Sequence, residues 1–502
     1  MAKKKKKKTA SVQDVSRKPK QSFFTEHPNW TAAIILFLLL LIFYYPIVFE
    51  NKTLLPPDAL TAKSYKPFVN DALKSGTYPL WNPYIFSGMP SFGSLSSAPL
   101  VNIFDTIIQY SLVGVRYVIP LTPFMRIILN YLFFGLLIYL LLRSLKVHRY
   151  ACLFSAIAIM FIPQYVAFTA FGHNTKFLSL VLIPLIFWSL NQLLNKRNLL
   201  FFMLTALALG FQLLRAHVQV CYYTYLLLGI YFIYYSIIEY RENKKFDHIY
   251  KGLGLLAGSM IIALLLSAVM YISIYEYSHY SIRGGGTGLS YGYASSWSFS
   301  PAEMITFLIP SFFGFGGATY WGKMPFTDYP LYMGIVVLFL AGLAFVIKRD
   351  RYVIFFGIIA LFSLIVSFGK HLPILYDPMF NYLPFFNKFR VPSMIHILLD
   401  LSMVILAGFG ISSLIELKES DNRKDLLKKL KSIQLYFYIF SGIAIFLLLF
   451  VALAKNTLFG WMANAARPLE PGAQQVAYKM ALTDTVVLLI FLGISGLVTL
   501  YY

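Results

Sequence analysis

The feature that most constrains this chain is a series of solid apolar runs, at residues 31–49, 123–142, 150–168, 177–194, 199–214, 220–238, 253–274, 331–347, 353–368, 394–414, 433–453 and 481–500. Each is roughly 16 to 22 residues long, the length an α-helix needs to cross a hydrocarbon core of about 30 Å. In lipid the peptide groups must bond to one another, so only helices or a closed barrel can span. Barrel strands alternate apolar and polar residues, and these runs do not. The expected fold is therefore an all-α polytopic membrane protein with about twelve transmembrane helices.

Composition agrees: 58% of the 502 residues are hydrophobic and only 13% charged, with a mean hydropathy of +0.66, far from a soluble multidomain chain. The net charge of +22 does not imply nucleic acid. Most basic residues sit in short turns between apolar runs, reading RSLKVHR, NKRN, YRENKKFDHIYK, KRDR and ELKESDNRKDLLKKLK. That is the pattern of cytoplasmic connections under the positive-inside rule. Residues 1–30, with Lys3 to Lys8, Arg17, Lys18 and Lys20, form an expected disordered cytoplasmic tail that touches anionic headgroups. The run after it continues into Tyr44, Tyr45 and Pro46 without a small-residue cleavage site, so it is not read as a signal peptide. Cys152 and Cys221 both fall inside apolar runs and offer neither a disulfide framework nor a metal site.

The alternate connections, 50–122, 276–330, 369–392 and 454–479, are long, aromatic and poor in basic clusters, and are expected outside the cell membrane. The first is expected to hold two interfacial helices, one after Pro56-Pro57-Asp58 and one near 101–111, joined by WNPYIFSGMPSFG with Trp81, Tyr84 and Phe86 at headgroup level. The segment SIRGGGTGLSYGYASSWSFS reads as a mobile lid or substrate loop. Its Gly284-Gly285-Gly286 is either an anion nest or a flexible turn. No fixed-period repeat, Walker loop, nucleotide fingerprint, HExxH motif or nucleophile elbow occurs.

Polar residues at the outer helix ends are the remaining chemistry. GHNTK supplies His173 and Lys176, RAHVQ supplies Arg215 and His217, and Arg283, Lys388 and Arg390 follow. Singly, such residues snorkel to the interface; together they would cradle a lipid-linked phosphate. His396 and Asp400, four residues apart inside the run 394–414, share a helical face as a functional or packing pair. In the acid-poor first connection Asp58 suits an N-cap or a catalytic base, and Asp71 suits either a water-facing position or a secondary catalytic role.

The strings PPDALTAKSYKPFVNDALKSGTYPLWNPYIFSGMP, GHNTKFLSLVLIPL, RAHVQVCYYT, FSPAEMITFLIPSFFGFGGATYWG and FNKFRVPSMIHILLDLSMVILAGFGI follow in an order that resembles the YfhO-type bacterial membrane proteins, a branch of the GT-C glycosyltransferase superfamily. The resemblance implies a GT-C-like domain over 31–502, in the bacterial inner membrane with its N-terminus cytoplasmic. It implies a polyprenyl-phosphate sugar donor, a cell-envelope polymer or glycolipid as acceptor, and Asp58 as the acid of the first extracytoplasmic loop. Members of that family also extend into a soluble C-terminal part, whereas this sequence stops on its last apolar run at Tyr501-Tyr502. Transfer from a phosphate needs a base for the acceptor hydroxyl and cations for the departing phosphate, with inversion at the anomeric carbon. No cofactor is required; a divalent ion is compatible with such chemistry, although no ligand cluster demands one. The alternatives are a transporter or flippase of lipid-linked saccharides, which would line a midplane path with polar groups, and a non-catalytic envelope scaffold.

Overall fold

The computed structural model describes residues 26–50, 52–56, 60, 64–85, 87–91, 124–281, 288–419 and 423–501. The basic tail up to residue 25, Asp58, Phe86, the segment near 101–111, Arg283 and the triple glycine lie outside the described residues.

The chain is helical almost throughout its described part. In order run α1 (Pro28–Phe43), α2 (Lys66–Lys74), α3 (Met125–Ser144), α4 (Arg149–Met160), α5 (Pro163–Ala170), α6 (Asn174–Val181), α7 (Ile183–Lys196), α8 (Leu199–Leu214) and α9 (Val218–Asn243). After them come α10 (Asp247–Ser278), α11 (Ile335–Ile347), α12 (Arg351–Ser367), α13 (Tyr376–Tyr382), α14 (His396–Lys418), α15 (Arg423–Leu453), α16 (Lys455–Ala463) and α17 (Pro471–Tyr501). The strand content among the described residues is one two-residue antiparallel pair, Trp81 opposite Pro90 and Asn82 opposite Met89.

Among the described residues seven helices are long and apolar enough to cross a membrane, with α6 and α7 counted together, or eight if α4 and α5 form one span bent by 40°. Pro163 at the start of α5 explains that bend, because it has no N–H to continue the ladder of α4. α1, α8, α11 and α12 are apolar but shorter. This is the architecture of a multi-pass membrane protein. Large apolar side chains such as Leu265, Leu435, Phe446 and Leu497 stand exposed on α10, α15 and α17, which water would penalise and lipid does not.

α14 is the pillar. It is enclosed along nearly its whole length and packs on α11, α12 and α4. Close approach is set by glycine: a side chain on Gly410 would strike the Leu340 carbonyl, and one on Gly408 the Ser155 hydroxyl. The Ser155 hydroxyl donates to the Val404 carbonyl at 2.9 Å, tying α4 to the pillar.

Connections gather at two ends. At one, Lys348 pairs with Glu416 at 2.7 Å, the His148 amide donates to Ser412 Oγ at 3.0 Å, and Tyr234 donates to the Arg351 carbonyl at 2.8 Å. Asn198 and Asp350 cap α8 and α12 there. At the other end Tyr222 donates to the Pro384 carbonyl at 2.8 Å, the Leu289 amide to the Asn387 carbonyl at 3.0 Å, and the Ser311 amide to Asp484 at 2.7 Å. The basic turns occupy the first end and the long aromatic connections the second.

Over 289–300 the segment expected to be a lid or substrate loop is packed into the fold. There the Val391 amide donates to the Ala294 carbonyl, the Phe299 amide to Ser367 and the Ser393 amide to Trp297, and Ala294, Ser295, Ser298 and Phe299 are buried. Alternating hairpins predict opposite labelling of the two ends. Cysteines placed at the exposed positions Asn195, Lys245 and Glu419 should react with impermeant maleimide from one side of the membrane only. Those at Ser75, Ser290 and Tyr382 should react only from the other side, and the native Cys152 and Cys221 are buried and silent. Equal labelling of both sets would contradict the hairpin arrangement.

Candidate functional site

A cavity of about 780 Å³ opens at the end where the long connections gather. It is built from the α5–α6 corner, the α8–α9 corner, a strap at 324–331 and the segment 389–394. Each corner presents its side chains for a local reason. Gly172 turns the chain with φ +91° between α5 and α6, so His173 and Lys176 stand on the first turn of α6. At the second corner Ala216 takes φ +61°, which places His217 as the N-cap of α9, its Nδ1 accepting from the Val220 amide at 3.4 Å. Val391, a β-branched residue, is held at φ +63°. Both Ala216 and Val391 line the cavity, and left-handed non-glycine backbone persists only where surroundings over-determine it, as at binding sites.

His173, Lys176, His217 and Arg390 all line this cavity. Arg390 is pre-set: its Nη1 donates to the Tyr293 hydroxyl at 2.6 Å, and its guanidinium lies 5.5 Å from the Tyr293 ring centroid and 5.8 Å from that of Trp297. Its backbone carbonyl accepts from Gln219 at 2.7 Å, joining the segment to α9. Lys176 sits 4.4 Å over the Phe168 ring and 3.5 Å from His173 Nδ1. Arg215 is buried at the end of α8 and is not a lining residue, because the left-handed Ala216 separates it from the wall. Asp71 is on α2, which buries no residue; it is exposed, 3.9 Å from Lys74, and does not line the cavity.

The carboxylate that does line it is Asp328, which the sequence reading passed over. Its strap is fixed by long-range bonds: the Gly316 amide donates to the Thr327 carbonyl at 2.7 Å and Trp297 Nε1 to the Phe326 carbonyl at 3.2 Å. Tyr329 meets Phe168 edge-on at 5.9 Å. The available signal was an acid between aromatics in FTDYP, within a connection otherwise poor in acids. His396 and Asp400 do not pair. His396 Nε2 is 2.9 Å from Ser367 Oγ, Asp400 is buried, and neither lines the cavity.

Upstream of the strap, buried Glu303 accepts from the Lys323 amide at 2.6 Å and from the Tyr320 hydroxyl at 3.3 Å, holding residues 320–324 in place. Among the described residues no group of three His, Cys, Asp or Glu side chains could hold a metal ion. Among the described residues the cavity offers cationic donors, the carboxylate of Asp328 and aromatic walls of Phe168, Trp297 and Phe326. That combination suits an anionic phosphate attached to an apolar or ring-shaped group. No protein-family model and no curated protein matches this chain.

Burial pushes the Glu303 carboxyl up from 4.5 to about 7, against the opposing effect of the Lys323 amide and the Tyr320 hydroxyl. The folded chain thus binds this proton more tightly than the unfolded chain. The stabilisation is full below about pH 4.5 and is lost as pH rises through about 7, a change on the order of 3 kcal/mol. Thermal unfolding in detergent between pH 4.5 and 8 should show that fall in the wild type and a flatter profile in Glu303→Gln. Parallel profiles would remove Glu303 as the source.

Proposed function

We propose that this chain is a GT-C-type membrane glycosyltransferase with twelve crossings, adding α1, the bent α4–α5 pair, α8, α11 and α12 to the seven long spans. It moves a sugar from a polyprenyl-phosphate-linked donor to an extracytoplasmic cell-envelope acceptor, in a bacterial inner membrane with the N-terminus cytoplasmic. The supporting observation is the convergence of Lys176, Arg390, His173, His217 and Asp328 on one cavity at a single end of the bundle.

In this reading a carboxylate takes the proton of the acceptor hydroxyl as its oxygen attacks the anomeric carbon in line. The bond from that carbon to the phosphate oxygen breaks, and the polyprenyl phosphate leaves as an anion stabilised by Arg390 and Lys176. No general acid is needed, and configuration inverts. The base is Asp58 by resemblance and Asp328 by position on the cavity.

Purified protein in proteoliposomes with labelled polyprenyl-phosphate sugars should release polyprenyl phosphate as sugar is transferred. Arg390→Gln should lower kcat/KM by about tenfold or more, the cost of one charge-assisted phosphate contact. Of Asp58→Asn and Asp328→Asn, the one that removes the base should lose roughly a hundredfold in kcat, while Asp71→Asn stays near wild type. Full activity in both would remove the chemical basis of the reading, and movement of intact donor across the bilayer without release would replace it with transport.

A further inference from the structure

A second cavity, of about 470 Å³, lies at the opposite end of the bundle between the α3–α4 turn, the α11–α12 turn and the last turns of α14. Nothing in the proposed sugar transfer uses it. Its rim carries Lys146, Lys348 and Arg351, and its acids are Asp350 and Glu416. Both acids are already engaged. Asp350 accepts from the Tyr352 and Val353 amides at 2.8 and 2.9 Å, and Glu416 takes Lys348 at 2.7 Å and the Ser412 hydroxyl at 3.3 Å.

Lys146 and Arg351 are the cations left over: neither forms an ion pair with a carboxylate among the described residues. Arg351 is held in place, 4.8 Å over the Tyr352 ring and donating to its hydroxyl at 3.0 Å. Lys146 projects from a left-handed backbone at φ +65°, a position that ends α3 and turns the chain at the rim. The buried part of the lining combines apolar Leu145, Val147 and Phe409 with the hydroxyls of Ser412 and Ser413. Phe409 stacks on Tyr352 at 6.5 Å. Exposed cations beside buried Leu145, Val147 and Phe409, with the Ser412 and Ser413 hydroxyls among them, at the level where spanning helices end, match an amphiphile with a polar head more closely than a freely dissolved anion. The phosphate would meet the two cations, and the glycerol and first methylenes would meet the buried lining.

We propose that this cavity binds the phosphate-bearing headgroup of an anionic membrane lipid, with Lys146 and Arg351 as the phosphate contacts. The site is independent of the glycosyltransferase reading and of which membrane side this end faces.

The test is thermal unfolding of the full-length protein in detergent, titrated with phosphatidylglycerol, with phosphatidylcholine, and with inorganic phosphate. The double variant Lys146→Asn/Arg351→Gln removes the contacts, Asn being the residue that best tolerates the left-handed position. Lys244→Asn/Arg241→Gln is the matched control, since Lys244 is also left-handed at φ +55° and neither residue lines the cavity. Phosphatidylglycerol should raise the wild-type and control midpoints saturably, with phosphatidylcholine inert, and the double variant should need at least tenfold more lipid for half the effect. Native mass spectrometry should find anionic lipid retained by the wild type and lost from the double variant, which separates lost binding from lost stability. A double variant that titrates and retains lipid like wild type, or a control pair that loses as much, would overturn the site. A Lys146- and Arg351-dependent response to inorganic phosphate alone would keep a phosphate site and overturn its assignment to lipid.

Discussion

A peptide N–H or C=O left unpaired in hydrocarbon costs several kcal/mol, and this constraint divides the molecule. Through the apolar layer the chain can only be helix, so the freedom to shape a site is confined to the ends of the bundle. There the turns are irregular, and left-handed residues such as Ala216, Val391 and Lys146 occur. The enclosed α14 sets the frame on which those ends are hung. Its glycines bring α4 and α11 into contact with it, and the segment that leads into it carries Arg390 and Val391 to the cavity.

The two ends handle charge differently. At the end with the basic turns, carboxylates are consumed in caps and pairs, as Asp350 with two amides and Glu416 with Lys348 show. At the other end the cations are braced by aromatic rings, Lys176 on Phe168 and Arg390 between Tyr293 and Trp297. Packing against rings holds these side chains in position at the cavity wall.

Much of this was legible in the chain itself because burial in lipid needs an uninterrupted apolar string. The run 199–214 is α8 residue for residue. The run 253–274 undershoots α10, Asp247–Ser278, because polar residues at the water interface stay helical without adding hydrophobicity. His173, Lys176, His217 and Arg390 were identifiable from their positions at helix ends. Arg215 was not separable from them, since one left-handed residue decides which of two neighbours faces the cavity. Asp328 was hidden for a different reason. Its position depends on the Gly316 and Trp297 bonds to the strap, and pairings between residues distant in sequence leave no local pattern. Acids are scarce in the first connection too, but Asp71 there lies exposed on a helix that buries nothing.

The proposed sugar transfer requires the 780 Å³ cavity to receive the phosphate of a lipid-linked donor. A cryo-EM structure of the protein with a non-hydrolysable polyprenyl-phosphate sugar tests it most directly. The phosphate should lie within hydrogen-bonding distance of Arg390 and Lys176, with Asp328 facing the sugar side. Donor sugar-phosphate density along a path between the helices, or anywhere else in the bundle with this cavity empty, would contradict it.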